Sequence, residues 1–247
     1  VSGVPAEPAR LEPVTARAWR AAEEAALGGW RLNASAGYSG RINACWPIGE
    51  PGMDAVEALA AVEAWYAARG FAPRFRLTDD LVVPGDLPAH LIRAGYGPGT
   101  ETLVMTAPLP QRLNVAVRIL DDPDDRFAGV FAGASSDPLD AQERLEALAR
   151  VPVPRGFALA QADGAPAAIG ACAVEAPWVG IFAMRTLPAF RRRGLGRAVL
   201  DSLLARAAVF GATQAWLQVE ADNAGARRLY EAAGFSEAYR YRYWSRP

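Results

Sequence analysis

Two passes of one pattern can be read along the chain, against the plainer alternative of a chance match among common residue types such as alanine. A shift of 141 residues lays Leu59 on Leu200, Val62 on Leu203, Gly70 on Gly211 and Phe75 on Trp216, and a shift of 139 lays Ala94-Gly95-Tyr96 on Ala233-Gly234-Phe235. Each pass reads helix, strand, helix closing on Ala-Gly-aromatic, strand. Such a period constrains the fold more than any single motif, because two copies of one unit must bury matching faces. Apolar spacing predicts helices over 15–26, 54–69, 87–94, 126–133, 139–150, 195–210 and 224–233. It predicts strands over 30–35, 41–46, 74–78, 102–107, 115–120, 157–161, 167–175, 179–185, 214–220 and 238–244. Residues 1–13 read as a loose lead-in, 108–110 as a linker, and the second pass begins at Asn114. The 247 residues therefore divide into a domain over 1–110 and another over 111–247.

Charge and reactive residues narrow the chemistry. All 26 basic residues are arginine, which excludes a lysine Schiff base, a lysine nucleophile and the lysine of a P-loop. With one histidine, His90, and two cysteines, Cys45 and Cys172, no metal site or disulfide framework is expected. The cysteines read as small buried hydrophobes. A net charge of −1 supplies no field for nucleic acid. No apolar run long enough to span a bilayer and no basic-then-apolar start are present, so a cytoplasmic protein without membrane contact is expected.

The stretch from Pro188 to Ala198 lies between a predicted strand and a predicted helix. Gly194 and Gly196 let backbone amides approach a ligand at the start of that helix, whose dipole favours an anion. Arg191, Arg192 and Arg193 precede them with forked donors for phosphate oxygens. A pyrophosphate cradle results, against the plainer alternative of a turn with solvated arginines. A dinucleotide fingerprint would use Gly194 and Gly196 with Glu220 as its distal acid, but Val199 occupies its third small position and arginines stand at its tight turn.

The competing pattern is Arg191-x-x-Gly194-x-Gly196, followed downstream by Asn223, Ala226, Leu229, Tyr230, Gly234 and Phe235. On these two motifs the segment from about Asn114 to Trp244 resembles the GNAT superfamily of N-acetyltransferases, and in particular bacterial tandem members whose C-terminal half is the complete one. The resemblance implies an α/β fold with a mixed, largely antiparallel central sheet flanked by helices, duplicated in tandem, with a degenerate N-terminal half. It implies acetyl-CoA as cosubstrate and a primary amine of a small molecule or peptide as acceptor, attacked directly in a ternary complex by a monomer or homodimer. Backbone of Met184, Arg185 and Thr186 would pair with the pantetheine arm. Arg191, Arg192, Arg193, Gly194, Leu195, Gly196 and Arg197 would hold the pyrophosphate. Asn223 would bond near the pantetheine end, besides serving as a helix cap. Tyr230, otherwise a core aromatic, would protonate the departing thiolate. Glu220 is the first candidate for the general base, and a salt bridge is its plainer role; Glu175 and Tyr239 are weaker alternatives.

The repeat adds an expectation about the first half. At a shift of 141 the cradle falls on residues 50–55, which hold no arginine, and at 139 Tyr230 falls on Leu91 and Asn223 on Pro84. The first half thus reads as a scaffold without a coenzyme site. Asp121, Asp122, Asp124 and Asp125 read as a helix-start cluster, or as an attractor for a cationic amine. Trp30, Trp46, Trp65 and Tyr66 read as core, or as walls of a cleft. Two rivals stand beside the transferase: a non-catalytic acyl-CoA sensor, and a Rossmann-type NAD-dependent oxidoreductase.

Overall fold

The computed structural model describes residues 8–110 and 115–247. In the first half the elements are α1 (Pro8–Ala18), β1 (Glu23–Leu27), β2 (Trp30–Ala34), β3 (Cys45–Pro47), α2 (Ala55–Ala67), β4 (Phe75–Thr78), α3 (Leu87–Arg93) and β5 (Gly97–Pro108). The second half holds β6 (Arg118–Leu120), α4 (Asp125–Gly133), α5 (Pro138–Ala149), β7 (Arg155–Ala162), β8 (Ala165–Glu175), β9 (Trp178–Thr186), α6 (Leu195–Val209), β10 (Gln214–Glu220), α7 (Ala224–Glu231) and β11 (Ser236–Ser245). Asn114, where the second pass was expected to begin, lies outside the described residues.

Local chemistry sets many of these boundaries. Asp54, Asp124, Asp137 and Asn223 each turn a side-chain oxygen onto free amides at the start of α2, α4, α5 and α7. Gly70 and Gly211, the pair related by the 141 shift, both take positive φ just past α2 and α6, at 74° and 82°. The next amide in each case reaches back to the last turn, Phe71 to Tyr66 and Ala212 to Ala207.

The N-terminal region departs from expectation. The helix spans Pro8–Ala18 rather than 15–26, and 23–27 is a strand. Leu11, Val14 and Ala18 give α1 a buried face in the main core, so tertiary packing orders a segment that reads as a lead-in. Gly28-Gly29 is the hairpin turn between β1 and β2, not a helix stop. A Cβ at Gly28 would lie 2.3 Å from the carbonyl oxygen of Pro51, which explains the glycine. The predicted strand over 41–46 is a short 3-10 turn, Gly40–Ile42, followed by β3.

One 11-stranded sheet organises the molecule, in the order β1-β2-β3-β4-β11-β5-β10-β9-β8-β7-β6. Its pairs are antiparallel except β3 with β4 and β9 with β10. The expected mixed, largely antiparallel sheet flanked by helices is therefore what forms, and a doubly wound dinucleotide fold is not. Exchanging β1–β5 for β7–β11 reverses this order onto itself, with β6 as the one extra strand. The closing strand of each half leaves its own neighbours: β5 pairs with β10, and β11 pairs with β4. The halves are thus laced together through backbone hydrogen bonds.

Apolar side chains follow the layers. Phe127, Phe131 and Leu148 of α4 and α5 join Leu11 of α1 against Phe157, Ile169, Phe182 and Trp216. Val199, Leu200, Leu203 and Leu204 of α6 pack on Leu103, Met105, Ile181 and Leu217. Trp30, Leu59, Val62, Tyr66, Phe75 and Leu91 form a further core in the first half. Trp30 and Tyr66 are core residues, as the spacing suggested. Both cysteines are buried and unpaired, and burial pushes the Cys172 thiol up to about 12. Among the described residues no helix is long and apolar enough to cross a membrane.

Candidate active site

The site begins where two parallel strands part. β9 and β10 pair from Gln214–Trp178 to Leu217–Ile181, and beyond that point they do not bond to each other. At the same place β9 bulges against β8: the register jumps between Ile169–Arg185 and Ala171–Phe182. Ala183 takes φ 55°, a left-handed conformation that costs an alanine about 1 kcal/mol. Gly170 faces this bulge, and a Cβ there would stand 2.4 Å from Met184 Sδ and 2.7 Å from Val199 Cγ1. The bulge therefore needs glycine on the neighbouring strand. Its effect is to turn the edge of β9 from 184 to 186 into a cleft instead of onto β10.

That cleft has a volume of about 720 Å³ and is walled by β9, the start of α6 and one side of α7. Met184, Arg185, Thr186, Arg191, Arg192, Gly194, Leu195, Gly196, Arg197, Asn223 and Tyr230 all line it. The two sequence motifs, some thirty residues apart, thus meet across one space. Gly194 takes φ 79° as the residue before α6, and no side chain caps that helix. Its first amides carry no intrahelical partner, and the residues that bear them line the cleft at the positive end of the dipole. Gly196 has a second reason for its size, since a Cβ there would lie 3.3 Å from Leu229 of α7.

The arginines divide. Arg193 does not line the cleft: its guanidinium grips Asp163 with two hydrogen bonds of 2.7 and 2.9 Å. This corrects the expectation that its side chain serves the cradle. Arg197 spends its guanidinium on Asp201 and on the carbonyl of Ala232. Arg191 bonds the carbonyl of Thr186, and Arg192, at φ 62°, has no carboxylate partner among the described residues. Arg228 of α7 lines the same cleft and was not singled out from the sequence. Its place on the Tyr230 helix, two positions before the tyrosine, was the signal available.

Tyr230 is buried, and burial pushes its phenol up to about 12 while Arg41 and Arg185 pull in the other direction. It therefore keeps its proton at neutral pH. Asn223 caps α7 through Ala226 N–H at 3.1 Å and still borders the cleft, so both of its roles are compatible.

A second cavity of about 270 Å³ lies beyond the parted strands, lined by Glu220 together with Arg41, Arg74, Arg144, Thr102 and Tyr241 among others. Glu220 is exposed at the end of β10 and has no ion-pair partner among the described residues. Among the described residues the plainer salt-bridge role is not seen. Glu175 is a different case. It forms a bidentate pair with Arg17 at 2.9 and 2.6 Å, which holds its carboxyl low, and it lines neither cavity. Tyr239 is buried and donates to Glu12 Oε1 at 2.7 Å. Both weaker base candidates are corrected by these partners.

The aspartate cluster is also elsewhere. Asp121 and Asp122 pair with Arg206 and Arg155, and Asp124 caps α4 while binding Arg126. Arg206 sits ~18 Å along α6 from the cradle glycine at 1.5 Å per residue. Three of the four aspartates are thus paired with arginines, and none of the four lines the cleft. Among the described residues no group of His, Cys, Asp and Glu side chains could hold a metal ion.

A family model described as probable histone acetyltransferase Rv0428c C-terminal matches residues 6–244. The chain belongs to this acetyltransferase family. A curated relative from Salmonella typhimurium, named [ribosomal protein bS18]-alanine N-acetyltransferase, is 40% identical over 77 residues, 31% of this chain and 52% of the relative. The chain thus spans about half the length of the curated relatives it matches. A solved structure described as a GCN5-related N-acetyltransferase from Kribbella flavida aligns with 100% of this chain and 97% of its own, with a TM-score of 0.69 at 21% identity. A putative GNAT acetyltransferase from Novosphingobium aromaticivorans aligns over 91% of both chains, with a TM-score of 0.60 at 20% identity. At those identities the structures establish the fold, and it is that of the GNAT superfamily. The family membership and the meeting of its two motifs across the cleft agree.

Proposed function

We propose that this protein is an N-acetyltransferase that moves an acetyl group from acetyl-CoA to a primary amine of a small molecule or peptide, by direct attack in a ternary complex. The observation that carries this reading is the convergence on one cleft of the free edge of β9, the uncapped start of α6 and the protonated Tyr230. An amine acceptor is further supported by the name of the curated relative.

Acetyl-CoA supplies an activated thioester when bound. Met184 to Thr186 offer main-chain groups to its arm in the manner of an added strand. The amides of Leu195 and Gly196, with Arg191 and Arg192, suit the pyrophosphate, and Arg228 suits a further phosphate. Amides at the bulge beside Ala183 polarise the carbonyl oxygen. Glu220 removes a proton from the ammonium of the acceptor, directly or through water. The amine nitrogen then bonds to the acetyl carbon, the carbon–sulfur bond breaks with its electron pair on sulfur, Tyr230 gives its proton to that sulfur, and the nitrogen loses its second proton to solvent, from which Tyr230 is reprotonated. After Tyr230 is reprotonated, the products are an amide, a free thiol and one released proton.

We further propose that 111–247 is the catalytic domain and that 1–110 is a degenerate copy without a coenzyme site. The palindromic strand order supports a duplication. At the start of α2, Asp54 Oδ1 accepts the amides of Val56 and Glu57 at 2.9 Å each. A carboxylate of the chain thereby takes the place that α6 leaves open for an anion. Where β3 and β4 part, Val83 N–H donates to the carbonyl of Pro47 at 3.0 Å, so the chain itself fills the strand edge.

Titration calorimetry with coenzyme A and with NAD tests this reading. One coenzyme A per chain and no heat with NAD are expected. Two sites per chain overturn the degenerate first half, and binding of NAD in place of coenzyme A overturns the transferase.

A further inference from the structure

The cavity beside Glu220 is lined by three arginines, two of which have no ion-pair partner among the described residues. Arg41 and Arg74 reach only backbone carbonyls, those of Gln218 and Tyr38, each at 3.3 Å. Neither has a carboxylate partner among the described residues. Arg144 is the exception, held by Asp140 at 2.7 Å. Arg185 is half-buried on β9, bonds the Met184 carbonyl at 3.2 Å, and likewise lacks a carboxylate among the described residues. Burial, and then the nearby charges of Arg144 and Arg41, hold its pKa below the usual arginine value.

Many arginines elsewhere are neutralised by a carboxylate. Arg17, Arg193 and Arg206 each close on a carboxylate within 2.9 Å. In the cavity Arg41 and Arg74 outnumber the single carboxylate of Glu220, and the surplus cation sets up a positive potential there. An arriving anion relieves it. The phosphates of a coenzyme do not fill this role, because Arg191, Arg192 and Arg228 at the α6 end serve the other cleft. Tyr230 lines the coenzyme cleft, and the charge of Arg41, which lines the other cavity, still favours its ionised form against burial.

We infer that the acceptor is an amine carrying a carboxylate, of the size of a free amino acid. Arg41 and Arg74 bind the carboxylate, which leaves the ammonium group of the same molecule for Glu220. The cavity of about 270 Å³ is at or below the range that holds drug-sized ligands, which suits a handful of heavy atoms rather than an extended peptide. Forked guanidinium donors match a carboxylate geometrically as well as electrically. A lysine-rich acceptor would meet repulsion at the same wall. This inference rests on the acetyl transfer proposed above and specifies its acceptor.

The test uses the full chain, saturating acetyl-CoA and the twenty common L-amino acids, each beside its α-amide and its decarboxylated amine. Free thiol is measured, and binding of the same probes is measured separately by thermal shift with coenzyme A present. Expected is a preference of about tenfold or more in kcat/KM, and in binding, for at least one amino acid over its amide and amine. R41Q and R74Q should erase that preference, chiefly through KM, while Arg41→Lys should restore part of it. Melting temperatures of the variants separate a lost charge from a lost fold. Equal use of acid, amide and amine would overturn the inference and leave acetyl transfer standing. If no amine is turned over, the transferase reading fails, and the binding arm still decides the inference: a carboxylate preference sensitive to Arg41 supports it, and indifference to the carboxylate sinks it.

Discussion

The Glu143 carboxylate accepts a 2.5 Å hydrogen bond from the backbone N–H of Ser39, 104 positions earlier in the chain. Its other oxygen takes Ala36 N–H at 2.5 Å and Asn43 Nδ2 at 2.8 Å. A buried side chain of α5 in the second half thereby fixes the loop of the first half that presents Arg41. Charge-assisted bonds of this kind contribute about 1.5–3 kcal/mol. Glu143→Gln puts an NH2 where an acceptor is needed, so the melting temperature should fall and the acceptor KM should rise. Coenzyme A affinity, set on the far side of the cleft, should stay within about twofold. Calorimetry and steady-state kinetics on the same sample check this split.

Tyr230→Phe removes the proton donor and keeps the ring. Loss of a positioned general acid typically costs 10²–10⁴-fold, so kcat should fall by roughly that factor with coenzyme A binding intact. Normal turnover by the variant would remove Tyr230 from the chemistry. The pH profile carries a second check. Because burial pushes the phenol up to about 12, the protonated donor persists as pH rises through the neutral and mildly basic range. The rate should climb as the acceptor amine loses its proton, with no decline attributable to Tyr230 before about pH 10. A decline beginning near pH 8 that disappears in Tyr230→Phe would contradict this assignment.

Gly170→Ala tests the bulge. The added methyl meets Met184 Sδ and Val199 Cγ1 inside normal contact distance. Overpacking costs about 1–3 kcal/mol, and relief comes most easily by displacing Met184 from the cleft edge. Stability measured by urea unfolding should drop, and the coenzyme A dissociation constant should rise about tenfold. A stability loss without a binding loss would show that the bulge tolerates the shift.

Arg192 and Arg193 are neighbours in sequence with different work. Arg192→Ala should weaken coenzyme A by about tenfold, the equivalent of one charge-assisted bond. Arg193→Ala breaks an exposed pair with Asp163 and should leave that affinity within about twofold. Calorimetry on both variants in low and moderate salt decides it, and the reverse order would refute the assignment.

Much of the second half was legible because its signals are local. Gly194 and Gly196 read as an amide-lined helix start, and Asn223 as a cap, since a turn and its next few residues suffice to specify them. Tyr230 was singled out by the resemblance of the segment after Asn223 to the family's pattern. The misses have one cause. Pro8–Ala18 became helical because a distant sheet offers its apolar face a partner, and Arg41, Arg74 and Arg144 become neighbours only through folding. Arg193 and Arg192 are indistinguishable by type, and only the position of Asp163 separates them.

By itself the sequence determined the exclusion of lysine chemistry, and it offered a repeated unit and a glycine-arginine cradle as readings of residue type at short spacing, with the role of Tyr230 implied by the resemblance. Tertiary structure decided the rest. Pairing β5 with β10 and β11 with β4 joins the halves in one sheet and sets a loop of the first half over the site of the second. Hydrogen bonds between strands carry no residue code, so that exchange, and the arginine-lined cavity it creates, exist only once the chain is folded.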